Sequence, residues 1–136
     1  MSAADLSITQ LQQHKQSLEQ EVSYMTDTVA KLKAAQQAYD MSGKVLSTLG
    51  EKKNAQVLVP LTNSVYVAGQ LGECDSVLVN IGTGYFVNKP VLGAQTHCEE
   101  KSKLLNSNLV KMARILSEKR NNLEMCMMLI QKKMAQ

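Results

Sequence analysis

Residues 57–87, VLVPLTNSVYVAGQLGECDSVLVNIGTGYFV, decide the fold of this chain. The stretch is rich in β-branched residues, whereas the residues on both sides of it have the composition of long polar helices. Turn-forming residues separate four short apolar runs, at 57–61, 65–68, 77–81 and 85–87. The pattern predicts two consecutive β-hairpins. Pro60 lacks a backbone N–H, so its run is expected at a sheet edge or a bulge.

Both faces of these predicted strands are apolar. Four short strands cannot cover two apolar faces by themselves, and isolated hairpins are only marginally stable in water. Exposed strand edges also invite pairing with other chains. The sequence therefore predicts that the hairpins form an oligomerisation platform, with these contact residues: Val57, Leu58, Val59, Leu61, Val65, Tyr66, Val67, Val77, Leu78, Val79, Ile81, Tyr85, Phe86 and Val87.

The segment before the hairpins predicts a long helix over residues 7–50. Ser7 and Gln10 fit a capping box at its start, and Gly50 is a plausible stop. One heptad series is apolar throughout: Leu11, Leu18, Met25, Leu32, Tyr39 and Leu46. A second series is mixed: Ile8, Lys15, Val22, Val29, Gln36 and Gly43. Such a narrow stripe is typical of a coiled-coil seam with a single partner helix.

The segment after the hairpins predicts a second helix of similar length, over 91–134. Its start has two interpretations, because Pro90 could occupy the first turn or Thr96 and Glu99 could form a capping box. Its stripe runs through Cys98, Ser102, Leu105, Leu109, Met112, Leu116, Lys119, Leu123, Cys126 and Ile130. The two helices of equal length are expected to pair as an antiparallel hairpin, with parallel pairing between separate chains as the alternative.

Composition excludes several classes of protein. The 136 residues include no Trp and one Phe, fewer large rings than a compact enzyme core usually contains. Net charge is +3, without a dense basic block, so nucleic-acid binding is not expected. Three widely spaced cysteines indicate reduced thiols rather than a disulfide framework. No signal core or membrane-spanning run is present, which predicts a cytoplasmic protein, with a nuclear presence left open.

Candidate chemical sites have simpler structural explanations. The Gly82-Thr83-Gly84 stretch lacks the spacing and the lysine of a phosphate loop and is expected to be a hairpin turn. His97 and Cys98 are adjacent on a helix, so their side chains diverge and no metal site is predicted. The sequence shows no nucleophile paired with a general base. We therefore expect neither catalytic activity nor a cofactor.

With its two coiled-coil arms and the phrases VLVPLTNSVYVAGQL and VLVNIGTGYFV, the chain resembles the α-class prefoldins over essentially its whole length. The resemblance implies an α+β fold, a long antiparallel coiled-coil hairpin whose two central β-hairpins join an oligomeric β-barrel platform. It also implies a single prefoldin-type domain over 1–136 in a hexamer of two α-class and four β-class subunits. Such complexes are ATP-independent co-chaperones that capture unfolded actin- and tubulin-like clients and deliver them to the cytosolic chaperonin.

The helix ends are the expected client-binding tips. Met125 and Met128 point off the seam, and methionine is flexible and polarisable, as suits a surface with many partners. The predicted tip residues are Leu6, Ile8, Leu11, Met125, Met127, Met128, Leu129 and Met134. Burial against a neighbouring subunit and a frayed end without a role are the alternatives. A structural coiled-coil scaffold or tether is the alternative function for the whole chain.

Overall fold

Two long helices and two β-hairpins make up residues 5–136, the part of the chain that the computed structural model describes. Residues 1–4 of the predicted 1–136 domain lie outside the described residues. Helix α1 spans Ile8–Leu49 and helix α2 spans Val91–Met134. Between them lie four strands: β1 (Gln56–Pro60), β2 (Tyr66–Gln70), β3 (Ser76–Gly82) and β4 (Tyr85–Pro90). This order of elements is the one that the sequence predicts.

The start of α1 has the predicted capping box. The Ser7 N–H donates to Gln10 Oε1 at 2.9 Å, and the Gln10 N–H donates back to Ser7 Oγ at 3.2 Å. These two bonds satisfy donors that the first helical turn leaves without an intrahelical partner. The helix therefore begins where the sequence predicts.

The end of α1 differs in one detail from the prediction. The α-helix ends at Leu49, but Gly50 continues into a short 3₁₀ turn, Gly50–Lys52, instead of adopting a left-handed cap. The left-handed residue is Asn54, with φ 63°. Asparagine tolerates this region better than most residues other than glycine. The left-handed residue therefore lies four residues beyond Gly50, after the 3₁₀ turn.

The start of α2 resolves the two interpretations of the sequence. The helix begins at Val91, directly after Pro90, whose fixed φ suits the entrance of a helix. Thr96 lies inside the helix, where its hydroxyl donates to the Leu92 carbonyl at 3.0 Å. A capping box at Thr96 and Glu99 was therefore the wrong interpretation.

The described chain forms two compact units, each of which contains part of both helices. The helical unit contains the described residues up to Ala35 together with Leu105–Gln136. Its core consists of Leu11, Leu18, Cys126 and Ile130, against which Leu6, Leu123 and Leu129 pack. Lys119 and Glu21 pair across the same two helices. Residue numbers rise on α1 as they fall on α2, so the helices of this unit are antiparallel.

The hairpin unit spans Gln36–Leu104 and contains all four strands. Here the Ser102 hydroxyl donates to Asp40 Oδ1 at 2.6 Å, and the rings of Tyr39 and His97 meet edge to face with centroids 6.5 Å apart. Asp40 contacts Ser102, whereas Gly43, further along α1, lies beside Cys98, so the helices are antiparallel in this unit too. In both units every predicted seam position is buried or half-buried, with the exception of Ile8, which is exposed.

Each pair of strands forms a separate antiparallel two-stranded sheet, as predicted. In the first sheet β1 pairs with β2, and Pro60 lies opposite Tyr66 at the last rung of the ladder. In the second sheet β3 pairs with β4, and its register shifts between Asn80 and Gly82. The bulge therefore lies in β3 and not at Pro60. Proline is tolerated in β1 because it ends the ladder.

The Gly82-Thr83-Gly84 stretch forms the turn of the second hairpin. Its φ angles are 123°, 49° and 81°, in the region that glycine adopts without steric cost. The Gly82 N–H donates to Asn80 Oδ1 at 2.9 Å, at the register shift just before the turn. The prediction of a hairpin turn at this position is confirmed.

Candidate interaction surfaces

The first candidate surface consists of exposed apolar side chains on the two hairpins, and we call it the hairpin surface. Leu58, Leu78 and Tyr85 each expose about 70% of their area in the single chain. The members of the hairpin surface are Leu58, Val59, Leu61, Val65, Tyr66, Val67, Leu78, Ile81, Tyr85, Phe86 and Val87. The other three predicted platform residues, Val57, Val77 and Val79, are half-buried.

Strand register explains why this surface is continuous on the first hairpin. Leu58 lies opposite Ala68, and Val59 lies opposite Val67, so neighbours across the ladder present apolar groups on both faces. In the described residues β1 and β2 pair with each other and with no further strand. A free strand edge offers unpaired backbone donors and acceptors beside exposed apolar side chains. The arrangement can accept a strand and bury a hydrophobic face in one step.

The second candidate surface lies at the ends of the helices, and we call it the methionine surface. It consists of Ile8, Met125, Met127, Met128 and Met134, all of them exposed. Met125 and Met128 expose 63% and 68% of their area, although they flank Cys126, which is 4% exposed. The helix therefore turns one face into the core and presents a methionine-rich face to solvent within a single turn.

Three of the predicted tip residues do not belong to this exposed surface. Leu11 is 1% exposed and lies in the core of the helical unit, so it cannot contact a partner without unpacking that core. Leu6 and Leu129 are half-buried and pack against the same core. The sequence placed these residues near the helix ends correctly. It did not show that the core extends into the last turns.

Specific contacts hold the ends of the two helices together. The Cys126 thiol donates to the Leu11 carbonyl at 3.3 Å, and the Lys133 ammonium donates to the Leu6 carbonyl. The Leu6 and Leu11 carbonyls belong to α1 or its entrance, and both donors belong to α2. The paired ends of α1 and α2 are packed and hydrogen-bonded, so they are not frayed.

Two basic residues of α2, Lys119 and Arg114, are engaged in ion pairs. Lys119 pairs with Glu21 of α1 at 2.5 Å and is half-buried, as its predicted seam position requires. Arg114 pairs with Glu118 one turn along the same helix at 3.6 Å. Lys111 and Arg120 are exposed. The charges of Lys119 and Arg114 are therefore compensated by carboxylates of the same chain.

The cysteines are free thiols with different surroundings. Cys74 lies in a glycine-containing loop but is buried, with its Sγ 3.6 Å from the Gly72 carbonyl. Cys98 is half-buried, and desolvation raises the pKa of its thiol. Within residues 5–136 no group of three or more His, Cys, Asp or Glu side chains is placed to hold a metal ion.

No helix in the described part of the chain has the length and the apolar content needed to cross a membrane.

The sequence prediction omitted several exposed apolar residues of the hairpin unit, among them Met41 and Val45. Met41 and Val45 lie on α1, outside the seam, and are 68% and 53% exposed. They are one helical turn apart, so they share a face. The signal was present in the sequence as two apolar residues at polar positions of the heptad pattern.

Comparison with known proteins identifies the class to which this fold belongs. A family model described as prefoldin subunit matches residues 18–136. The chain belongs to the prefoldin family. It is therefore a subunit of a co-chaperone that associates with other prefoldin subunits, and prefoldin subunits are not enzymes.

Within the prefoldin family, the chain is similar to subunit 5 of several eukaryotes. Prefoldin subunit 5 of Arabidopsis thaliana is 33% identical over 132 residues, which cover 96% of this chain and 87% of the relative. Prefoldin subunit 5 of Homo sapiens is 33% identical over 120 residues, 88% of this chain and 78% of the relative. The probable prefoldin subunit 5 of Dictyostelium discoideum is 30% identical over 135 residues, 99% and 84% of the two chains.

A solved structure shows the same fold. The cryo-EM structure of filamentous PFD from Methanocaldococcus jannaschii matches with a TM-score of 0.72 and covers 83% of this chain and 94% of that one. Its sequence identity is 18%, so the comparison concerns the fold alone.

Proposed function

We propose that this chain is one of two α-class subunits in a hexamer with four β-class subunits, and that its methionine surface captures non-native proteins. The proposed clients are of the actin and tubulin type, and the proposed destination is the cytosolic chaperonin. Capture is passive: exposed apolar side chains cover an apolar segment of the client, reversibly and without a nucleotide. The hairpin surface supplies the contacts with the other subunits.

The observation that carries this proposal is the exposure of Met125 and Met128 beside a packed core. A helix end that had only to pair with its partner would bury its apolar residues and leave polar ones outside. Here Cys126 and Ile130 already fill the core, so the methionines are surplus to the helix pair. An exposed apolar patch of this kind usually marks an interaction site.

The chemistry of methionine supports loose selectivity. The side chain is unbranched and has three rotatable bonds, so it adapts to clients of different shape. Full burial of one such side chain contributes about 1.5–3 kcal/mol, which alone gives weak binding. Affinity would therefore come from several subunits engaging one client at once, through effective concentration.

A cytosolic location, with a nuclear presence open, is part of the same proposal. The support is that Cys74, Cys98 and Cys126 are all free thiols. Thiols stay reduced in the cytosol and the nucleus, whereas oxidising compartments favour disulfides.

The test replaces three exposed methionines while leaving the core intact. Truncation of residues 123–136 would also remove Cys126 and Ile130 from the core, so substitution is the sharper change. The variant is Met125→Gln/Met128→Gln/Met134→Gln, since glutamine is also unbranched and a good helix former. The matched control is Val110→Gln, an exposed apolar residue elsewhere on α2.

The measurement is light scattering of actin diluted from denaturant in the presence of the assembled complex. We expect the triple variant to assemble normally but to need about two- to threefold more complex for the same suppression, because the other subunits still bind. The Val110→Gln complex should match the wild type. Equal suppression by all three complexes would reject client capture at this surface and favour a structural scaffold.

A further inference from the structure

Half of the methionines of this chain lie near the end of helix α2. The sequence contains eight methionines, and four of them follow residue 124: Met125, Met127, Met128 and Met134. All four are exposed, and the exposed fraction of their area ranges from 41% at Met127 to 68% at Met128. The susceptibility of a methionine to oxidants follows the access of solvent to its sulfur. The methionine surface is therefore a cluster of accessible thioethers.

The other described methionines differ from this cluster in exposure or in place. Met25 and Met112 belong to the seam and are half-buried. Met41 is 68% exposed, as much as Met128, but it lies in the hairpin unit. The chain thus contains its own references. The seam methionines serve for the rate of oxidation, and Met41 serves for the effect of oxidation outside the methionine surface.

The thiols of the chain are poor competitors for an oxidant. Cys74 and Cys126 are buried, and Cys126 donates a hydrogen bond to the Leu11 carbonyl although exposed methionines flank it. Cys98 is half-buried, and desolvation raises the pKa of its thiol, which lowers the fraction of reactive thiolate. An oxidant that approaches α2 from solvent therefore meets methionine sulfurs before cysteine sulfurs.

A peroxide changes the methionine side chain in one step. The thioether sulfur attacks one oxygen of hydrogen peroxide, the O–O bond breaks, and the second oxygen leaves as water after proton transfer. The sulfur loses two electrons and gains one S–O bond, so the product is a polar sulfoxide. Burial of this polar group against an apolar client segment is unfavourable, because the segment offers it no hydrogen bond.

We propose that the methionine surface is an oxidation-sensitive modification site: peroxides convert Met125, Met127, Met128 and Met134 to sulfoxides, and the modified surface captures clients less well. The inference rests on the proposed capture of non-native proteins at this surface and adds its regulation. Methionine sulfoxide reductases reverse the change, since a thiol reductant supplies two electrons and the sulfoxide oxygen leaves as water. Capture therefore falls under oxidising conditions and returns after reduction.

The fold of the helical unit does not depend on these methionines. In the described part of the chain, no methionine belongs to the core of this unit or to the side chains packed against it. The hairpin surface, as defined above, also contains no methionine. Oxidation should therefore change capture without separating the helices or dissociating the complex, which native mass spectrometry of the oxidised complex checks.

The first measurement concerns access. The assembled wild-type complex is treated with hydrogen peroxide for increasing times, the reaction is stopped with catalase, and peptides are weighed by mass spectrometry. We expect the four methionines of the cluster to gain oxygen about fivefold faster than Met25 and Met112, or more, because the seam shelters these two. Equal rates in the two groups would overturn the inference.

The second measurement concerns capture. The variant Met125→Leu/Met127→Leu/Met128→Leu/Met134→Leu keeps the surface apolar and helical but cannot form sulfoxides. Each complex is compared with its own untreated sample in the actin light-scattering assay, after catalase has removed the peroxide. Peroxide should raise the amount of complex needed about twofold more in the wild type than in the leucine variant, because the other subunits are the same in both.

A matched control and a repair step complete the test. Met41→Leu removes an equally exposed methionine from the hairpin unit, so this complex should lose as much capture as the wild type. Treatment with a methionine sulfoxide reductase and dithiothreitol should restore the wild type. An equal loss of capture in the wild type and the leucine variant would overturn the inference.

The glutamine variant separates this inference from the proposal on which it rests. Reduced capture by Met125→Gln/Met128→Gln/Met134→Gln, with no difference between the oxidised wild type and the oxidised leucine variant, would reject the oxidation site and keep client capture. Normal capture by the glutamine variant, again without that difference, would reject both.

Discussion

The hairpin surface and the methionine surface are both exposed and apolar, but they are built from different residues on different backbones. Valine, isoleucine and aromatic residues dominate the hairpins, whereas methionine dominates the helix ends. β-branched side chains have one strongly restricted torsion next to the backbone, so they present a fixed shape. Methionine has three freely rotating bonds and adapts to the surface it meets.

The backbones add a second difference. A two-stranded sheet has free edges that can hydrogen-bond to another strand, which fixes the register and direction of the partner. A helix satisfies its backbone groups internally except at its ends, so α2 can offer mainly side chains to a partner. One short chain therefore carries a surface suited to fixed partners and a surface suited to variable ones.

The largest effect is expected from disruption of the hairpin surface. Leu58→Asp/Phe86→Asp places one carboxylate on each hairpin, at residues that are exposed in the single chain. Assembly with the other subunits should weaken by about a hundredfold or more, since each charge would have to be desolvated in the interface. Sedimentation velocity of the co-expressed subunits measures this change. Glu51→Gln/Lys52→Gln, exposed between α1 and β1, provides the control.

The second prediction tests whether the methionine surface depends on the core beneath it. Leu11→Ala should lower the free energy of unfolding by about 2–5 kcal/mol, because it leaves a cavity among Leu18, Cys126 and Ile130. Hydrogen exchange should rise throughout the last turns of α2. Ile8→Ala, at an exposed residue one turn away, should cost much less. Similar exchange in both variants would mean that the helix ends do not share a core.

The smallest expected effect concerns the ion pair between the helices. Lys119→Gln/Glu21→Gln should reduce stability by at most about 1 kcal/mol, because both side chains are partly exposed and water screens their attraction. The difference from the wild type should shrink further as the salt concentration rises. Thermal unfolding at low and high salt measures both changes. A large loss that persists at high salt would show that the pair does more than neutralise charge.

Features that depend on local chemistry were predictable from the sequence. The capping box of Ser7 and Gln10 and the Gly82–Gly84 turn each depend on a few neighbouring residues. The seam was predictable because heptad periodicity shows directly which face of a helix is apolar. The two sequence phrases within residues 57–87 indicated the family, and the family in turn indicated the fold.

Features that depend on distant parts of the chain were harder to predict. Leu11 was assigned to the client surface because it lies near a helix end, but Cys126 and Ile130, more than a hundred residues away, enclose it. Cys74 is buried although its local sequence suggests an exposed loop. Residues 77–80 of β3 line one cavity together with Met41 and Val45 of α1, and periodicity does not show where a strand lies relative to a helix.

The central claim is that the hairpin surface binds the other prefoldin subunits and that the methionine surface binds clients. The most direct measurement places a photoreactive benzoylphenylalanine at position 128 or at position 58 of the assembled complex and irradiates it with denatured actin present. Position 128 should crosslink mainly to actin, and position 58 should crosslink to other prefoldin subunits. Crosslinks from position 58 to actin, or from position 128 to sister subunits alone, would contradict this division between the two surfaces.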